Sequence, residues 1–194
     1  MLQADDISRA LNQTGAVAVM PTDTVYGLVA KASDEQAVSK LYHLKDRHAK
    51  PGTLIAYDID QLTRLGFKRK YLVAAEQFWP GPVSVIIACS DVSKLGYLTQ
   101  DRLDIAIRLP SDNFVRQVLK LTGPLLTSSA NQPGQPPAET IEQAKQYFNN
   151  DVDYYFDGGS LNNRLPSTII RIIDDAIEVI RQGAAVVDGD DSLL

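Results

Sequence analysis

One cysteine occurs in the 194 residues, Cys89, so no internal disulfide forms and a reducing compartment is expected. It lies at the edge of the apolar run 83–88 with no basic group beside it in sequence, which reads as buried filler rather than a nucleophile. Histidine is as scarce: His43 and His48 lie five apart on a polar segment, so no metal cluster is expected. No apolar run approaches the roughly 18 residues of a membrane span. The opening MLQADDISRA is acidic and amphipathic, unlike a signal peptide. Basic charge is in short supply too, with 19 Lys and Arg against 24 Asp and Glu and a net charge of −5. A protein that grips nucleic acid through its backbone usually carries a basic face, and the one dense basic patch, RLGFKRK at 64–70, is adequately explained as a solvated helix face. Any nucleic-acid contact is therefore expected to be local. The glycine-rich phosphate loops G-x-x-x-x-G-K-[ST] and G-x-G-x-x-G are missing, as is the nucleophile elbow G-x-S-x-G.

What is present is an alternation of strand and helix patterns. Ile7, Ala10 and Leu11 share a face over 5–14, with Gly15 as a stop, and the apolar run 16–20 follows as a buried strand. Ser33 and Gln36 form a capping box for a second helix with the stripe Ala37, Val38, Leu41 and Leu44. Its basic end carries Lys45, Arg47 and Lys50, broken by Pro51-Gly52. Strands are expected at 53–57 and 83–88, the latter central because it lacks a polar face, and helices at 60–66 and 71–79. Residues 103–109 alternate cleanly, with Asp104, Ala106 and Arg108 on the polar face. Ser111 is expected to cap a helix bearing Phe114, Val115, Val118 and Leu119, and a strand at 125–127 runs into Ser128, Ser129 and Asn131. Thr140 with Gln143 starts another helix; 154–156 is a strand; 168–173 and 177–181 form a hairpin across Asp174-Asp175. The pattern predicts a single α/β domain over 1–185, a mixed sheet with helices packed on it, and a loose acidic tail over 186–194.

The candidate chemistry sits at strand and helix ends. MPTDTVYGL at 20–28 places Thr22, Asp23, Thr24 and Tyr26 at the end of a buried strand, where open α/β sheets put their ligands, although Thr and Asp also favour plain turns. Lys45 and Arg47 suit a phosphate if the chain leaves the helix extended, or else simply complement the helix dipole. Ser128, Ser129 and Asn131 offer two hydroxyls and a carboxamide to a phosphate, or cap the next turn. Arg108 on its strand suits a carboxylate or phosphate through a forked pair of hydrogen bonds, and Arg171 and Arg181 offer the same from the last hairpin.

Together these pieces resemble the YrdC-like family, the threonylcarbamoyl-AMP synthases. PTDTVYGL at 21–28 is similar to its P-T-[DE]-[TS]-x-[YF]-G-L opening, Lys45-Asp46-Arg47 to its K-x-R, and Ser129-Ala130-Asn131 to its S-x-N. WPGPVS at 79–84, IAIRLP at 105–110, PSTII at 166–170 and IRQG at 180–183 also agree, so the resemblance runs from about 7 to 183. The chain resembles the short form, without the second domain of the long members. The resemblance implies a twisted open mixed sheet and a cytoplasmic nucleotidyltransferase. From ATP, L-threonine and bicarbonate it would form threonylcarbamoyl-AMP and pyrophosphate, for modification of adenosine 37 in tRNA. It implies Lys45 and Arg47 as the catalytic pair. The nucleotide would be held by Lys45, Arg47, Ser129, Asn131 and Arg181, and threonine by Thr22, Arg108, Thr127 and Ser167, with Tyr26 shaping that pocket. Mg2+ is expected on the triphosphate, with no dedicated protein cage. Hand-over to the tRNA threonylcarbamoyl-transfer machinery is implied, with weak or no direct tRNA binding and no membrane. The alternatives are an RNA-binding module of the same fold and a carbamoyl-transfer enzyme with another acceptor. Three positions depart from the family pattern: Tyr57 for a histidine, Asp104 for a Thr or Ser near the nucleotide, and Pro137 for a Ser at ATP.

Overall fold

The structure, a computed structural model, describes residues 2–46, 50–174 and 176–188. Val17–Pro21 (β1) turns back antiparallel onto Tyr26–Lys31 (β2), with Pro21 opposite Tyr26, so residues 22–25 form the loop of a hairpin. Thr53–Ile55 (β3), Val83–Ala88 (β4), Asp104–Arg108 (β5), Leu125–Ser129 (β6), Tyr154–Tyr155 (β7), Thr168–Ile173 (β8) and Ala176–Arg181 (β9) complete one mixed sheet. Its order is β7-β1-β2-β6-β3-β5-β4-β8-β9. Pairs β1/β7, β3/β5 and β4/β8 are parallel and the others antiparallel. β4 is interior, as its lack of a polar face demands.

The period-2 alternation of β1 sends Val17 and Val19 to one core and Ala18 and Met20 to another on the opposite face. The smaller core lies under Ala4–Leu11 (α1) and Asn113–Thr122 (α6), which pack Ile7, Leu11, Val115, Val118 and Leu119 on Met20, Val29, Ile55 and Leu125. The larger core lies under Glu35–Leu44 (α2), Ile59–Leu65 (α3), Arg69–Leu72 (α4), a 3-10 helix at Val73–Phe78, Val92–Thr99 (α5) and Ile141–Phe148 (α7). Helices therefore cover both faces of the β1-β2-β6-β3 half. On the rest of the sheet Ile86, Ala106, Ile169 and Arg171 of the second face are only half-buried.

Several local expectations are corrected. Asp34 rather than Ser33 caps α2, accepting the Gln36 and Ala37 N–H groups at 3.0 and 3.1 Å. Asp112 rather than Ser111 caps α6, accepting Val115 N–H at 2.9 Å. In both places the carboxylate stands two or three residues before the N–H groups it satisfies, a reach its neighbour one position earlier lacks. The strand expected over 53–57 ends at Ile55. The helix expected over 71–79 divides into α4 and the 3-10 turn. Ser128 and Ser129 belong to β6 rather than following it. α5 is not foreshadowed by any clear helical pattern, because Gly96 interrupts its short apolar stripe. The C-terminal segment is held as far as Val187, which packs with Ala185 against the larger core. Asp175 of the hairpin turn, His48, and residues 189–194 of the expected tail lie outside the described residues.

Asp153 ties the β1 edge to α2, accepting the Val17 N–H at 2.8 Å and the Lys40 ammonium at 2.6 Å. Burial pushes its carboxyl up, but the Lys40 and Val17 hydrogen bonds outweigh burial and the net shift is downward. Asp153→Ala is expected to cost about 1–2 kcal/mol at neutral pH, mostly through the Val17 N–H because the ion pair is half-exposed. A lowered native pKa means this contribution is present above the ordinary value of 3.8 and is lost as pH falls through the native value. Urea unfolding at pH 7 and at pH 3 should show the gap between wild type and variant narrowing in acid.

Candidate active site

The strands that run under α1 and α6 also carry small or polar residues just beyond those helices, on the same face. On β2 Gly27 precedes Val29, on β3 Thr53 precedes Ile55, and on β6 Thr127 and Ser129 follow Leu125. Where the helical cover ends, these residues line a cavity of about 210 Å3 with Thr22, Thr24, Arg108, Ser167 and Arg181. Ala106 and Ile169 contribute an apolar part of the wall, and the described lining contains no carboxylate.

The 22–25 loop is braced internally. Thr22 Oγ1 donates to Val25 O at 2.6 Å, accepts Thr24 N–H at 3.2 Å, and lies 3.2 Å from Thr24 Oγ1. Thr24 Oγ1 in turn accepts from Arg108 Nη1 at 3.3 Å. Arg108 is 3% exposed, and burial lowers its pKa while the Asp23 carboxylate opposes that shift. The Asp23 Oδ1 to Arg108 Nη2 distance is 3.1 Å. Burial raises the Asp23 pKa, with Arg108 opposing. Across the cavity, Arg181 Nη2 donates to Ser167 O at 2.7 Å, and Ser167 Oγ lies 2.9 Å from Ser84 Oγ. Gly183 lets the chain cross this corner, since a Cβ there would fall 2.2 Å from Pro166 O. That contact brings PST at 166–168 and RQG at 181–183 side by side.

Of the residues expected around threonine, Thr22, Arg108, Thr127 and Ser167 line the cavity. Tyr26 does not, because strand alternation sends it to the face opposite Gly27. Its hydroxyl donates to Gly159 O at 2.7 Å and accepts Gly158 N–H at 2.9 Å, so it anchors the 157–159 loop from within the core. Burial pushes its phenol pKa up.

Of the residues expected around the nucleotide, Ser129 and Arg181 line the cavity, whereas Lys45 and Asn131 stand behind it. Lys45 is not on an exposed helix exit but 3% exposed. Its ammonium donates to Ser129 O at 3.0 Å, to Asn131 Oδ1 at 2.9 Å and to Asn131 O. Asn131 Oδ1 also accepts from Ser129 Oγ at 2.6 Å, while Nδ2 donates to Gln132 O and Gln135 O. The K-x-R lysine and the S-x-N motif are thus one network that shapes the turn after β6. Arg47 lies outside the described residues.

The three departures fall differently. Pro137 lines the cavity. Asp104 does not; it is paired with Arg102 at 3.3 Å and Arg171 at 3.5 Å, four residues along β5 from Arg108 and about 13 Å at strand rise. Tyr57 sits in a separate groove with the Arg116 guanidinium 4.4 Å from its ring centre. The sequence places Asp23 and Thr24 in the candidate cluster at 20–28 without a specific contact, and it does not mark Gly27 or Thr53 as lining residues. The small-or-polar residue two places before or after a buried apolar one, repeated on β2, β3 and β6, was the available signal for Gly27 and Thr53.

A cavity walled by hydroxyls and two arginines, at the boundary between the covered and open halves of a mixed sheet, marks the candidate site of this α/β domain, and its groups are of the kind that suit an anion. The chain belongs to the Sua5/YciO/YrdC family, whose model, described as "Telomere recombination", matches residues 10–183. It is 33% identical over 174 residues to the threonylcarbamoyl-AMP synthase of Pseudomonas syringae pv. syringae (strain B728a), covering 88% of this chain and 92% of that protein. Among solved structures it is similar to P. abyssi Sua5 complexed with L-threonine (TM-score 0.80, 27% identity, 93% of this chain), and it spans about half, 54%, of that Sua5 chain. It is equally similar in fold to E. coli YciO (TM-score 0.80, 26% identity), covering 96% of this chain and 93% of YciO. Among the described residues no helix is long and apolar enough to cross a membrane.

Proposed function

We propose that the protein is a threonylcarbamoyl-AMP synthase acting in the cytoplasm, a nucleotidyltransferase that forms L-threonylcarbamoyladenylate and pyrophosphate from L-threonine, bicarbonate and ATP. The observation that carries this reading is the charge of the cavity: Arg108 and Arg181 in its wall, seven threonine and serine residues lining it with them, and no carboxylate in the described lining. The threonine amine attacks the bicarbonate carbon, and loss of water leaves a carbamate. A carbamate oxygen then attacks the α-phosphorus, and pyrophosphate departs with the bond electrons. Two anions must meet, so fixed cations and oriented hydroxyl donors lower their repulsion at the moment of attack. On this reading Arg108 and Thr22, Thr127 and Ser167 hold the amino acid and its carbamate. Ser129 and Arg181 meet the nucleotide, with the Lys45–Asn131 network behind them, and Arg47 is assigned to the nucleotide from its place in the K-x-R motif alone.

Among the described residues the cavity lining offers neither a carboxylate nor an imidazole, so none of them is assigned to Mg2+. The ion would arrive on the triphosphate as part of the substrate. The product would pass to the tRNA threonylcarbamoyl-transfer machinery for adenosine 37, with weak or no direct tRNA contact from a chain of net charge −5.

Pyrophosphate release is the test. It is expected only when ATP, bicarbonate and L-threonine are all present, and L-serine is expected to be about ten- to two-hundredfold poorer for want of one methyl group. Release without the amino acid, or equal turnover with serine, would overturn the assignment. Gly27→Ala supplies a second check. Its Cβ would lie 2.8 Å from Thr127 Oγ1 and 3.0 Å from Thr22 Cγ2, pushing apart two proposed threonine contacts. A rise of about tenfold in the KM for L-threonine is expected, with a stability cost of about 1–3 kcal/mol.

A further inference from the structure

Asp23 is the least economical residue of the 22–25 loop. Its side chain is 6% exposed, yet neither carboxylate oxygen has a hydrogen-bond partner among the described residues, and Arg108 Nε has none either. The two groups face each other at 3.1 Å, both removed from water. A buried ion pair with unsatisfied hydrogen-bonding capacity is seldom more stable than apolar side chains of similar size, so stability does not account for it. The loop touches the guanidinium twice, with Thr24 Oγ1 on Nη1 and Asp23 on Nη2, and those contacts leave the planar group little freedom to rotate. The charged groups around Asp23 are Arg108, Asp112 and Arg164, and of these Arg108 acts on it most strongly.

We propose that Asp23 is a positioning residue, whose buried carboxylate holds the Arg108 guanidinium at the angle that receives the carboxylate of the amino-acid substrate. This deepens the reading given under the proposed function and rests on it. The loop then has two jobs in one short stretch: Thr22 and Thr24 face the cavity, while Asp23 grips the arginine from behind. A guanidinium lacking its counter-charge would be a lone buried cation, driven to turn toward the cavity and solvent.

The test is L-threonine binding by calorimetry without nucleotide, with ATP binding measured on the same preparations. Wild type is expected to bind L-threonine, and if it does not, the functional reading itself fails. Asp23→Asn is expected to weaken L-threonine binding at least tenfold and to leave ATP binding within about twofold. Asp23→Glu, which restores the charge, is expected to recover part of the loss. In an Arg108→Lys background, Asp23→Asn is expected to cost less than twofold more, because the two residues act as one unit. Wild-type binding with an unaffected Asp23→Asn variant would overturn the positioning role alone, as would equal losses for threonine and ATP or additive losses in the double variant. Should Asp23→Asn fail to fold, Asp23→Glu decides by the same ratio of threonine to ATP loss.

Discussion

Arg108→Lys is expected to lower kcat/KM for L-threonine by about ten- to a hundredfold while leaving the KM for ATP nearly unchanged. Lysine keeps the positive charge, so Asp23 retains a counter-ion and the buried pair is not broken outright. What disappears is the planar fork. Arg108 reaches Thr24 through one terminal nitrogen and Asp23 through the other. A single ammonium cannot satisfy both and also offer two parallel N–H groups to a carboxylate. Steady-state pyrophosphate release with each substrate varied in turn separates the outcomes. A loss that falls equally on ATP would mean the arginine serves the cavity as a whole rather than the amino acid.

Lys45→Met is expected to have the larger effect on stability. The chain length is kept, so little cavity opens, but Ser129 O, Asn131 O and Asn131 Oδ1 each lose a charged donor. Asn131 Oδ1 keeps the Ser129 hydroxyl and Ser129 O keeps the Asn131 N–H, so these two lose only their charged partner, while Asn131 O is left unsatisfied at about 1–3 kcal/mol, partly recovered if water enters. A net loss of about 3 kcal/mol would lower Tm by roughly 6–12 °C for a chain of this size. Turnover per folded molecule should fall by about two orders of magnitude, because Ser129 and the turn after β6 lose their support at the cavity edge. Thermal unfolding and the pyrophosphate assay on the same preparations test both parts. An unchanged Tm would contradict the network seen around the ammonium.

Much of this was legible locally. The runs at 16–20, 83–88 and 103–109 declare strands by apolar content or by strict alternation, and that alternation already puts Arg108 on the polar face of its strand. Thr140 announces α7 with the expected cap, accepting the Gln143 N–H at 3.3 Å. Composition, charge and the order of the short motifs carried the family resemblance, because each motif answers a backbone or phosphate-binding need within a few residues. Tyr26 stands next to Thr22 and Thr24 in sequence but not in the cavity, because the strand that begins at Tyr26 turns its ring away from Gly27.

Other features depend on which strands come to lie side by side. Asp23 meets Arg108 only because β5 shares a sheet with β2 and the β1–β2 loop reaches the Arg108 guanidinium across that sheet. Lys45 at a helix end reads as solvated until the end of β6 closes over it and takes its three hydrogen bonds. Asp104 looks like a nucleotide neighbour until Arg171 of β8 is placed beside it. Sequence periodicity and capping determined the elements and the polar face of each, since those depend on near neighbours in the chain. Burial of a charge and its choice of partner depend on contacts between distant segments, so only the tertiary structure decided which of the polar residues face the cavity and which hold it in shape.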